Sequence, residues 1–133
     1  MDVLLVEDEA VIRMVLADDM ADSGLDVIET SNAEAALGAV SSVGPADEPS
    51  ILVTDINLGS GMNGLALVAE LRRRWPDVGV VFMTGNPSNL TRRPTGRNEV
   101  WLFKPFDPSK VTATVHDLIS RSRRRADKPD REA

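Results

Sequence analysis

The stretch Ser50-Ile51-Leu52-Val53-Thr54-Asp55 limits what this chain can fold into more than any other. Apolar residues occupy both parities of a strand, so a strand here is covered on both faces, as in a parallel sheet packed between helices. Asp is a poor strand residue, which places Asp55 where the strand gives way to a loop. Open parallel sheets gather their reactive groups along the carboxyl ends of the strands. Taken alone, Asp55 is better explained as the start of a loop or the cap of a turn.

Other stretches repeat the pattern. Val3-Leu4-Leu5-Val6 is a second buried strand, and it ends in Glu7-Asp8-Glu9. Val11, Ile12, Val15 and Leu16 then recur at helical spacing, with a stop at Ser23-Gly24. Asp26 to Glu29 reads as a short strand, and Ser31-Asn32-Ala33-Glu34 has the spacing of a capping box opening a helix. Ser42 to Pro49 is a surface loop. Beyond Asp55 comes the glycine-rich Gly59 to Gly64, then a helix with Leu67, Val68, Leu71 and Trp75 on one face, stopped by Pro76. Gly79 to Met83 is a strand leading into Thr84-Gly85, and Val100 to Phe103 is another leading into Lys104-Pro105. Asp107 and Pro108 open a last helix with Val111, Val115, Leu118 and Ile119 inward. From Ser120 onward apolar residues almost vanish, and a fraying, solvated tail is expected. Strands alternating with helices predict a doubly wound parallel sheet in one α/β domain.

The 133 residues suffice for a core without staples, and the absence of cysteine excludes disulfides, thiolate metal sites and cysteine nucleophiles. Apolar stretches stay at strand length, and no secretory signal is visible, so no membrane partner and a cytoplasmic location are expected. The net charge of −6 argues against nucleic acid as the main partner, and acids dilute the basic residues of the tail. His116, the sole histidine, is expected on the surface of the last helix.

Four strands therefore end in chemically capable residues: Glu7 with Asp8, Asp55, Thr84, and Lys104. In a parallel sheet those ends share one edge. Crowded carboxylates raise one another's pKa unless a cation sits among them, and a hard divalent ion such as Mg²⁺ suits oxygen ligands. With the acids neutralised, Asp55 is placed to attack a phosphoryl group, with Lys104 and the Thr84 hydroxyl on its oxygens. Each feature singly has an ordinary explanation, as a helix start, a turn or an exposed lysine. Four at successive strand ends are hard to assign to chance.

On these stretches, together with Leu52 to Asp55, Phe82 to Gly85 and Leu102 to Phe106, the sequence resembles a receiver domain of the two-component response-regulator family. The resemblance runs from Asp2 to about Arg121, giving a receiver domain over 1–121 and a charged, disordered tail over 122–133. It implies a flavodoxin-like, five-stranded doubly wound parallel sheet in the order 2-1-3-4-5. It makes Asp55 the phosphoacceptor, and Glu7, Asp8, Asp55 and the backbone carbonyl of Asn57 the Mg²⁺ ligands. Thr84 and Lys104 become the phosphate-sensing pair, and Trp101 stands where the family carries its switch aromatic. Plain packing explains Trp101 equally well. The Lys104–Pro105 bond is expected to be cis.

Three departures stand out. The loop after Asp55 lacks the proline of many relatives and is one residue longer, Trp101 is bulkier than the usual Tyr or Phe, and residues 86–98 carry Pro87, Pro94 and Gly96 where relatives have an amphipathic fourth helix. That helix is expected to be atypical or missing. The implied function is a phosphoacceptor for a histidine kinase or phosphotransfer protein. It is not an enzyme on outside substrates, though it assists its own phosphorylation and dephosphorylation. The span leaves no room for an effector, so output to an unidentified protein through contact is expected. Two alternatives are a degenerate receiver that binds partners without phosphorylation and an aspartate-nucleophile phosphatase. The latter wants a second acid where this chain has Asn57.

Overall fold

Strands with apolar residues on both parities need cover on both faces, and the computed structural model shows how the chain supplies it. It describes residues 1–41, 43–44, 47–59, 61–85 and 98–127, the side chains of 123–127 excepted. Five strands, β1 (Val3–Val6), β2 (Val27–Thr30), β3 (Ile51–Asp55), β4 (Gly79–Thr84) and β5 (Glu99–Phe103), pair in the order β2-β1-β3-β4-β5. Every pairing is parallel, which gives the flavodoxin-like sheet. Among the described residues there are four helices: α1 (Ala10–Asp22), α2 (Ala33–Val40), α3 (Gly64–Arg74) and α4 (Pro108–Asp127).

The period of two along each strand sorts the core into two layers. Leu4, Val6, Leu52, Val80, Phe82 and Trp101 face α2 and α3, packing on Ala36, Leu67, Val68 and Leu71. Val3, Leu5, Ile51, Val53, Val81, Met83 and Leu102 face α1 and α4, packing on Leu16, Met20, Val111 and Val115.

Some local expectations are corrected. Asn32, not Ser31, caps α2 by accepting the N–H of Ala35 at 2.7 Å, and Glu34 turns elsewhere instead of closing a capping box. In α1 the buried residues are Leu16, Ala17 and Met20, while Val11 and Val15 face solvent. Apolar spacing alone did not show which side of that helix meets the sheet. The last helix continues past Ser120 to Asp127, because Arg and Ala are good helix formers and Asp117 pairs with Arg121 one turn on, at 2.7 Å. Residues 128–133 of the expected tail lie outside the described residues. So does the expectation that the helix over 86–98 is atypical or missing, except for Asn98, whose φ is +63°.

Candidate functional site

Register brings the capable residues together. Val6 pairs with Thr54, Asp55 with Met83, and Thr84 with Phe103, so β1, β3, β4 and β5 end side by side. Hydrogen bonds run one residue past the strands and hold the site backbone. Glu7 N–H donates to Thr30 at 3.1 Å, Ile56 N–H to Met83 at 3.1 Å, and Lys104 N–H to Thr84 at 2.8 Å.

At this edge Asp55 is buried, and both its carboxylate oxygens have partners. Oδ2 accepts from Lys104 Nζ at 2.7 Å, and Oδ1 from the backbone N–H of Asn57 at 3.1 Å. Glu7 is fully buried, with Oε1 accepting from Lys104 Nζ at 3.2 Å and Oε2 from the N–H of Glu9 at 3.0 Å. Asp8 is exposed at the rim. One carboxylate oxygen from each of Glu7, Asp8 and Asp55 lies within 4.8 Å of the other two.

The electrostatics follow from that crowding. Burial pushes the Glu7 carboxyl above its ordinary range; the Glu9 N–H and Lys104 oppose this, while Asp8 and Asp55 add to it. Burial alone would lower Lys104, but its hydrogen bond to Asp55 and the charges of Glu7 and Asp55 prevail and raise it. The donor set is all hard oxygen, it carries excess negative charge, and one acid opens to solvent. That set fits Mg²⁺.

Thr84 is fully buried at the end of β4, joined to Lys104 through its own carbonyl. Trp101 is buried on β5, its ring 4.6 Å from that of Phe82 on the neighbouring strand and tilted by 32°. Its indole N–H is buried, with no hydrogen-bond partner among the described residues. The Lys104–Pro105 bond is cis. His116 is exposed, as expected, and its Nε2 lies 2.8 Å from Ser23 Oγ at the end of α1, far from the acids in the fold.

Two contributors escaped the sequence reading. Arg13, in α1, donates to the backbone carbonyl of Glu7 at 2.9 Å and so fixes the turn after β1. Gly64 opens α3 so close to β3 that a Cβ there would lie 2.2 Å from the Asp55 carbonyl oxygen. The Asn63-Gly64 pair before an apolar helix was the only cue.

A protein-family model for the response regulator receiver domain matches residues 3–116. The transcriptional regulatory protein AruR of Pseudomonas aeruginosa is 32% identical over 125 residues, covering 91% of this chain and 50% of that protein. The DNA-binding transcriptional regulator NtrC of Salmonella typhimurium is 33% identical over 121 residues, covering 89% of this chain and 24% of that protein. The chain thus spans about half or less of the length of these relatives. A crystal structure of a response regulator receiver protein from Sinorhizobium medicae has the same fold, with a TM-score of 0.79 at 21% identity over 90% of this chain and 94% of that one.

Proposed function

Because the chain belongs to the response regulator receiver domain family, we propose that Asp55 takes a phosphoryl group from a phosphohistidine on a histidine kinase or phosphotransfer protein. The observation that carries this reading is the buried strand-end carboxylate of Asp55, 2.7 Å from Lys104 and clustered with Glu7 and Asp8. Glu7, Asp8, Asp55 and the backbone carbonyl of Asn57 would hold Mg²⁺, which when bound supplies positive charge to phosphoryl oxygens. The donor's N–P bond breaks as an Asp55 oxygen forms the new O–P bond, and the departing imidazole keeps or takes up a proton. Lys104, already ion-paired to Asp55, passes its ammonium to a phosphoryl oxygen, and the Thr84 hydroxyl serves another. Attack by water on the acyl phosphate later returns inorganic phosphate and frees the carboxylate.

The phosphorylated state reaches the surface through the sheet. Thr84 and Phe82 share β4, and Phe82 lies beside Trp101 in register, so a shift of Thr84 towards phosphate bears on the buried indole. Output then passes to a partner protein. The names of the relatives assign DNA binding or transcriptional regulation to those longer proteins, and here the output is proposed to run through protein contact. Among the described residues no helix is long and apolar enough to cross a membrane.

The reading is tested by incubation with acetyl phosphate and Mg²⁺, followed by intact mass and peptide mapping. Wild-type protein gains one phosphoryl group, and Asp55→Asn gains none. Labelling of that variant to the wild-type extent would remove Asp55 from the role.

A further inference from the structure

The loop between Asp55 and α3 has to leave the acceptor, carry Asn57 past it and return to Gly64 with no proline to stiffen it. Its ends are tied. The N–H of Asn57 donates to Asp55 Oδ1, the N–H of Gly64 donates to the Ile56 carbonyl at 2.9 Å, and Leu58 is buried in the core. Its middle turns on two glycines with positive φ, Gly59 at +74° and Gly61 at +99°. Glycines in that region carry the greatest conformational freedom, so this half of the loop needs an outside hold.

That hold comes from α2. Glu34, in the first turn of the helix, accepts the backbone N–H of Met62 through Oε2 at 3.1 Å. The same oxygen lies 3.1 Å from where a Cβ on Gly61 would stand, so the carboxylate sits directly against the loop backbone. The bond to Met62 keeps the Glu34 carboxyl below the usual range, although the side chain is exposed. Ser31-Asn32-Ala33-Glu34 has capping-box spacing, yet Asn32 does the capping and leaves Glu34 free for this contact.

We infer that Glu34 is a positioning residue for the phosphoacceptor site: its hydrogen bond to Met62 clamps the loop that carries Asn57 past Asp55. The inference rests on the receiver reading above. Glu34 touches neither acceptor nor phosphate. It acts by limiting how far the far half of the loop drifts, and so how well the Asn57 carbonyl is held in place for Mg²⁺.

The test uses the full chain as wild type, Glu34→Ala and Glu34→Gln. Glutamine keeps an acceptor oxygen but loses the charge, which separates a hydrogen bond from through-space attraction of a cation. Three quantities are measured: exchange of the Met62 amide without metal, Mg²⁺ affinity by titration calorimetry, and labelling rate with acetyl phosphate. Glu34→Ala is expected to lose Met62 protection and weaken Mg²⁺ binding about three- to tenfold, the usual size of coupling through packed contacts. Its labelling rate should fall at low Mg²⁺ and recover at saturation, with the melting midpoint unchanged. Glu34→Gln should stay close to wild type in all three. If glutamine falls as far as alanine, charge is responsible and the clamp is refuted. Unchanged Met62 exchange or unchanged Mg²⁺ affinity in the alanine variant refutes it equally. Failure of wild-type protein to become labelled would sink the receiver reading instead, while Met62 exchange still reports on the clamp.

Discussion

Glu7 is the residue on which folding and function pull hardest against each other. It is fully buried, and its carboxyl is raised first by loss of solvent and then by the neighbouring acids. A raised native pKa means that folding favours the protonated form. That contribution is complete below the unfolded value of about 4.3 and is lost as pH climbs through the native value. Above that window the ionised carboxylate works against the metal-free fold. Glu7→Gln is therefore expected to raise the melting midpoint of metal-free protein near neutral pH by a few degrees, and to flatten its dependence on pH. The same variant should lose most of the stabilisation that Mg²⁺ gives the wild type. Thermal melts with Mg²⁺ and with a chelator check both halves; a lower midpoint without metal would mean that the Lys104 pairing outweighs the burial. At this scale the sequence was informative wherever topology does the gathering. Glu7, Asp8, Asp55, Thr84 and Lys104 follow strands, and a parallel sheet must bring strand ends together. Arg13, Glu34 and Gly64 were not legible as site residues, because each matters through a close approach between segments that no spacing encodes.

Two arginines of α3 tie its C-terminal end to neighbouring elements. Arg74 donates to the carbonyls of Val40 and Val43, both at 2.8 Å, and so satisfies the end of α2. Arg72 pairs with Glu99 at the start of β5 and donates to the Val78 carbonyl at 3.1 Å. The Glu99 side chain has no solvent exposure, so removing Arg72 takes a charge-assisted hydrogen bond from a buried carboxylate. Arg72→Ala is expected to cost about 1.5–3 kcal/mol in denaturant unfolding, the size of a lost hydrogen bond to a charged group, and the double replacement Arg72→Met with Glu99→Leu less. A double variant as unstable as the single one would show that packing, not charge, holds this corner. The alternation of strand and helix was readable because both-face apolar runs admit few other folds. The orientation of α1 was not, since Val11, Met14 and Val15 supply apolar residues on the side away from the sheet. Nor was the reach of α4, since a charged run is compatible with helix and with tail alike until its ion pairs are seen.

At the scale of the molecule, the most exposed large apolar side chains among the described residues lie together on α1, beside the lysine of the candidate site. Val11 is 74% exposed, Met14 57% and Val15 46%, far more than a helix face with no partner needs. A groove of about 450 Å³ runs from Val11, Ile12 and Val15 to Lys104, Pro105 and Phe106, so it shares Lys104 with the candidate site. A protein that delivers a phosphohistidine to Asp55 has to cover the surface next to Lys104, whereas acetyl phosphate has to cover none. Asp18, Asp19, Asp22 and Asp107 stand at the far side of Val15, which suits a donor that rims its apolar contacts with basic residues. Val11→Asp with Val15→Asp changes exposed positions only, so the fold and the labelling by acetyl phosphate are expected to persist. Phosphotransfer from a protein donor should fall at least tenfold, mainly through weaker association. Equal loss with both donors would trace the defect to the chemistry of the site, and no loss with the protein donor would place its docking surface elsewhere on the sheet edge.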